Sequence, residues 1–218
     1  MWLILLLFLP LSSAYDIPWG IQYDSMSEDV LESAGCSLCY REGYGSWTFP
    51  EDIEPCPGPI LFVGAQQYRM FYWWKPEIFL GAFAWASEVT KRTELNTPHE
   101  SNGVYWYFHP ERSFGFLADM DLRQEWGPDE GTTNADSRLS WDLDTRQGGW
   151  RAGANIGLNN LFTFTLYRKL IYNCWSDHFV GPPNGTAPID AVLTPPNGVR
   201  ADKVLTSNES VNVLQKIR

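Results

Sequence analysis

From residue 60 to residue 174 the chain alternates short apolar runs with turn residues, and this punctuation restricts it to a fold assembled from many short strands. Ile60-Leu61-Phe62-Val63 is rich in β-branched and aromatic residues and is closed by Pro59 and Gly64, as a strand buried on both faces would be. Met70 to Trp74 and Phe79 to Trp85 are further strand segments, and Ala84 to Lys91 also suits a short helix. Gly103 to Phe108 and Ser113 to Ala118, joined through His109-Pro110-Glu111, read as a β-hairpin. The sharpest alternation lies in Arg138 to Asp144. Leu139, Trp141 and Leu143 fall on one face and Ser140, Asp142 and Asp144 on the other, which predicts a half-buried strand of an antiparallel sheet. Thr145 to Gly149 turns the chain, Trp150 to Gly153 returns it, and Lys169 to Cys174 is the last predicted strand. The fold class is therefore mainly β: an antiparallel β-sandwich or jelly-roll-like domain.

One short N-terminal helix accompanies it. Ser25 with Glu28 three residues on forms a capping box, Met26, Val30, Leu31 and Ala34 make an apolar stripe, and Gly35 suits the C-terminal end. The run Pro50 to Pro59 is so dense in proline and glycine that it reads as a loop.

Cys36, Cys39, Cys56 and Cys174 make an even set, which in an exported chain reads as two disulfides. Three connectivities are open from sequence. Cys39–Cys56 with Cys36–Cys174 is the preferred one, the second bond tying the start of the domain to its last strand. A redox reading of Cys36-Ser37-Leu38-Cys39 is disfavoured, because a helical pattern precedes it and no helix start follows. A four-cysteine zinc site lacks its second close pair.

Residues Met1 to Ala14, MWLILLLFLPLSSA, have the apolar run and small terminal residues of a secretory signal, with cleavage expected after Ala14. The run is too short to span a bilayer, and the terminal VNVLQKIR carries no lipid-anchor signal, so no membrane insertion is expected. The domain is expected over residues 15–176, followed by a Pro-rich, disordered tail over 177–218 with glycosylation acceptors at Asn184 and Asn208. The net charge of −10 speaks against a nucleic-acid partner. Together these features predict a secreted, extracellular protein.

No catalytic motif is present: neither a G-x-S-x-G elbow, nor H-E-x-x-H, nor a phosphate-binding glycine loop. The 11 Trp and 10 Tyr are the first clue to function, because flat aromatic faces stack on sugar rings. Trp73, Trp74 and Trp126 are the stacking candidates, although most tryptophans of a β domain serve its core. Asp142, Asp144, Arg151, Asn155 and Asn159 are the polar candidates. The glycines around Trp150-Arg151 permit close backbone approach, and Arg151 is placed to pair with Asp142 or Asp144 across the hairpin. Asp119-Met120-Asp121 and Asp142-Leu143-Asp144 would each project two carboxylates from one strand face, and neighbouring pairs could hold calcium, with Asp119 and Asp121 as ligands. The leading expectation is an extracellular binding or recognition domain, with a glycan as ligand ahead of a protein. The alternatives are a glycan hydrolase using paired carboxylates and a structural or matrix interaction protein.

Overall fold

The computed structural model describes residues 15–56, 58–69, 76–124, 135–144, 148–158, 165–175 and 179–180. The leader, the Met70–Trp74 segment and, apart from 179–180, the residues of the tail lie outside this set. The architecture is mainly β, with two antiparallel sheets facing each other. The elements are β1 (Tyr15–Asp16), β2 (Ile21–Met26), α1 (Glu28–Ser33), β3 (Cys36–Gly43), α2 (Pro50–Ile53), β4 (Ile60–Arg69), β5 (Glu77–Trp85), α3 (Ala86–Val89), β6 (His99–Ser101), β7 (Val104–Phe108), β8 (Ser113–Leu117), a 3-10 turn (Ala135–Ser137), β9 (Leu139–Asp142), β10 (Gly149–Ala152), β11 (Asn155–Ile156), β12 (Thr165–Cys174) and β13 (Phe179–Val180). One sheet runs β2-β5-β4-β12-β3 and the other β11-β10-β9-β8-β7-β6.

Between them lies the main core. Leu61, Val63 and Ala65 of β4, Leu80, Ala82 and Ala84 of β5 and Ile171 of β12 pack against Val104, Trp106, Phe108, Phe114, Phe116, Leu139 and Trp141 of the opposite sheet. The alternate residues of the same strands are also buried. Ile60, Phe62, Phe83, Leu170 and Tyr172 form a second cluster with Leu31 of α1 and Ile17 on the outer face of the five-stranded sheet. Ile60-Leu61-Phe62-Val63 is thus buried on both faces, as its unbroken apolar run requires.

Both disulfides have the preferred connectivity, Cys36–Cys174 and Cys39–Cys56. Cys36 and Cys174 are register partners on β3 and β12, whereas Cys39 is the extra residue where that register shifts. The shift sends Cys36 into the outer cluster, while Cys56, the partner of Cys39, belongs to the interior core. In the chain-entropy account the 138-residue separation is worth about 5 kcal/mol and the 17-residue one about 3 kcal/mol. These bonds indicate an oxidising compartment. Among the described residues no helix is long and apolar enough to cross a membrane.

Five local expectations need correction. Ser25 does not cap the helix: it lies in β2, whose pairing with β5 runs through Met26, and Ser27 is the cap, accepting from the Val30 N–H at 3.3 Å. Sheet pairing outweighs a local cap signal two residues away. The 50–59 run contains helix α2, because Pro50 occupies the first turn, where a missing N–H costs nothing, and Ile53 anchors it in the core. The protein therefore has three short helices among the described residues, the last at Ala86–Val89. Finally, β9 is not half-buried: Ser140 and Asp142 are as inaccessible as Leu139 and Trp141. Phe179–Val180, which composition assigns to the tail, pairs in parallel with Tyr15–Asp16.

Candidate functional site

The chain leaves β3 at Gly43 and runs through Tyr44-Gly45-Ser46-Trp47-Thr48-Phe49 into α2. Across 47–49 burial alternates from residue to residue, and the backbone at Phe49 is extended. Thr48 is buried, while Trp47 and Phe49 are about half exposed, at 50% and 43%. Their rings meet edge to face, with centroids 6.4 Å apart.

The inner side of this loop is fixed by an unusual group. Lys169 is fully buried on β12, on the same side of the strand as Ile171 of the main core. Its Nζ donates to the Ser46 carbonyl at 2.6 Å and to the Thr48 hydroxyl, the two residues that flank Trp47. Tyr40 Oη and Thr48 Oγ1 share a hydrogen bond of 2.8 Å. The Phe49 N–H donates to the Asp52 carboxylate at 2.8 Å, and the Asp52 N–H donates back to the Phe49 carbonyl. Tyr44 completes the arrangement: its N–H donates to Tyr167 O, and its hydroxyl accepts from Trp141 Nε1 at 3.3 Å. Loss of hydration pushes the Lys169 ammonium down to about 8, against the pull of Glu42, Asp52 and Asp142. Burial raises Tyr40 and Tyr44 well above the ordinary phenol value.

The glycines of the β9–β10 connection approach the same loop. Gly149 N–H donates to Tyr44 O, and a Cβ on Gly148 would lie 2.0 Å from that carbonyl and 2.8 Å from Ser46 O. Gly148 also has φ +84, so both conformation and space demand glycine there.

Of the sequence-selected ligand residues, Trp73, Trp74, Trp126 and Asn159 lie outside the described residues, as do the acceptors Asn184 and Asn208. Asp142 is 3% exposed, which removes it from any open binding surface. Asp144 is exposed but pairs with Arg112 at 3.2 Å. Arg151 stands opposite Ser140 and Ile156, on the outer face of the six-stranded sheet with Asp142; Asn155 is in register with Ala152 and belongs to the other face. The polar candidates are therefore not gathered into one constellation.

Neither Asp-x-Asp pair projects two carboxylates from one strand face: Asp142 ends β9 with Asp144 beyond it, and Asp119 and Asp121 both follow the end of β8. In each, the first carboxylate accepts the backbone N–H of the second aspartate, at 3.0 Å for Asp119–Asp121 and 3.1 Å for Asp142–Asp144. These are turns closed by the side chain, the ordinary local use of aspartate. Among the described residues no three His, Cys, Asp or Glu side chains are grouped to hold a metal.

In the sequence Lys169 reads only as the start of a strand, and no motif gives the 44–49 loop a role. The alternation Trp47-Thr48-Phe49 was visible, but nothing local reveals that a lysine more than a hundred residues away anchors it. Comparison with known protein families, with curated proteins and with solved structures finds no match for this chain.

Proposed function

We propose that the protein is a secreted extracellular recognition domain whose Trp47–Phe49 pair stacks on a carbohydrate ligand. The observation that supports this reading is the exposed edge-to-face ring pair on a loop whose Ser46 and Thr48, on either side of Trp47, are pinned from inside. An aromatic surface binds best when its order is established before the ligand arrives, because the entropic cost of fixing it is already met. A sugar ring offers an apolar C–H face to such a surface and hydroxyls to its rim, matching the amphipathic character of tryptophan. The disulfides and the leader-like N-terminus agree with export.

A glycan array probed with the secreted chain, in calcium and in chelator, tests the proposal. Selective binding that Trp47→Ala and Phe49→Ala each weaken at least tenfold is the expected result. A blank array under both conditions would remove carbohydrate as the ligand class. Selective binding that both variants retain would move the site away from this loop.

A further inference from the structure

Burying a charged lysine between two sheets is costly, and a fold needing only apolar packing would place Leu or Met there. Lys169 nevertheless occupies this position, and the acceptors identified for its ammonium are Ser46 O and Thr48 Oγ1, on either side of Trp47. We infer that Lys169 is the positioning residue of the Trp47–Phe49 site, and that its protonation state sets the affinity of the site for ligand. The inference rests on the recognition role proposed above and adds its regulation.

The chemistry follows from the donor count and the charge. An ammonium has three N–H donors and makes charge-assisted bonds roughly twice as strong as those of a neutral amine. On deprotonation the nitrogen gains a lone pair that no carbonyl can satisfy, so its hold on Ser46 O and Thr48 Oγ1 loosens. The charged groups acting on Lys169 are Glu42 of β3, Asp52 of α2 and Asp142 of β9, all carboxylates favouring the charged form. Tyr40 and Tyr44, the phenols beside the loop, are raised by burial and stay neutral throughout the interval in which Lys169 titrates. With the amine titrating near 8, the loop is held in neutral and mildly acidic surroundings and relaxes in alkaline ones.

Global stability moves the other way. The folded chain binds the Lys169 proton less tightly than the unfolded chain, so raising the pH from about 8 towards the ordinary lysine value stabilises the fold. A lysine with a purely structural role would therefore leave the affinity of the folded chain unchanged as pH rises through 8. Weaker binding by a more stable protein is the signature of positioning.

The test uses the secreted full chain, with chitohexaose and cellohexaose as uncharged probes, from pH 6 to pH 10. Amide and indole NMR signals of residues 46–49 report the loop without ligand, and titration calorimetry reports affinity. Expected are a common midpoint near 8 for the loop signals, affinity about tenfold weaker at pH 9.5 than at pH 6.5, and a midpoint displaced upward when sugar saturates the site, as reciprocal linkage requires. Lys169→Arg keeps the charge and should abolish the titration. Lys169→Met alters a buried position and threatens folding, so Thr48→Val is the second variant: it keeps the lysine, removes one acceptor, and should weaken binding at pH 6.5 while shrinking the pH response. Loop signals that stay flat through pH 8, or that titrate unchanged in Lys169→Arg, overturn the inference. Loop titration with no binding of either sugar at pH 6.5 supports the lysine's hold on the loop and overturns the carbohydrate reading.

Discussion

Strands β3 and β12 carry polar clusters on both of their faces, built from neighbouring residues. Inward, Tyr40 and Lys169 reach Thr48 and the 44–49 loop. Outward, Arg41 and Tyr172 converge on Glu28 at the first turn of α1, with Gln66 of β4 as a further donor. The outward cluster is balanced. A carboxylate that burial alone would raise is held below the usual range by the Gln66 and Tyr172 hydrogen bonds and the Arg41 charge. The inward cluster is unbalanced, since its cation is buried against a carbonyl and a hydroxyl and its carboxylates act only at longer range. One arrangement docks a helix and stabilises the fold; the other fixes a loop and costs stability. A fold tolerates the second kind where a function depends on it.

The largest expected effect lies in the balanced cluster. Glu28→Ala leaves Gln66 and Tyr172, both fully buried, each with a polar group lacking its acceptor, and removes the carboxylate partner of the partly exposed Arg41. A loss of about 3 kcal/mol in urea unfolding is expected. A loss under 1 kcal/mol would reduce the cluster to an ordinary surface ion pair. The pH dependence has the matching sign. Because the folded-state value of Glu28 is depressed, its contribution is complete above about pH 4.3 and disappears as the pH falls through the folded value.

For the unbalanced cluster the slope is reversed. Lys169 is depressed to about 8, so the unfolded chain holds more protons above that pH, and unfolding free energy should rise between pH 7.5 and 9.5 by about 2 kcal/mol. Above pH 10 the buried tyrosines oppose the gain, because their raised values favour the unfolded state once free phenols ionise. Urea melts at the two pH values, repeated with Lys169→Arg, measure this slope. A wild-type slope equal to that of the arginine variant would show that the lysine carries no such cost.

The contrast also explains what could be read from the chain alone. The strands were legible where turn residues bracket an apolar run, as at Ile60–Val63, and the hairpin of β7 and β8 and both disulfide partners were legible too. The assignment of faces was not. In β9, Leu139 and Trp141 face the main core as their alternation implies, yet Ser140 and Asp142 are buried as well, because the outer face of the six-stranded sheet is also covered. In β12, Lys169-Leu170-Ile171-Tyr172 is buried at every residue, so no periodicity marks the lysine as interior. The loop's role depends on Lys169 and Thr48, 121 residues apart, a proximity created only by the sheet. The carboxylates chosen for chemistry were misplaced for a local reason: aspartate two residues before another N–H closes a turn.

Thr48→Val separates the loop's tether from the lysine's charge. It replaces a buried hydroxyl with a methyl of similar volume, breaking the bonds to Lys169 and Tyr40 while leaving Ser46 O in place. About 1 kcal/mol of stability should be lost, less than for Glu28→Ala because an alternative acceptor for the lysine remains. A loss as large as that of Glu28→Ala would mean that the inner cluster is as much a keystone of the fold as the outer one.

Trp47→Ala should have the smallest effect on stability, and the argument turns on that smallness. Half of the Trp47 surface already faces solvent, as does nearly half of the Phe49 ring it meets edge to face. Truncation should therefore change unfolding free energy by no more than about 0.5 kcal/mol, as for most surface substitutions, and the NMR signals of Lys169 and Thr48 should stay in place. A ring kept for packing would cost several times more, as burial of a tryptophan-sized side chain implies. If Trp47→Ala destabilises the chain by 2 kcal/mol or more, the ring belongs to the core's outer layer and the loop is a structural clasp. If stability is unchanged while carbohydrate binding falls, the lysine, the threonine and the two rings divide as the comparison requires: a costly interior anchor, and an exposed surface that contributes nothing to the fold.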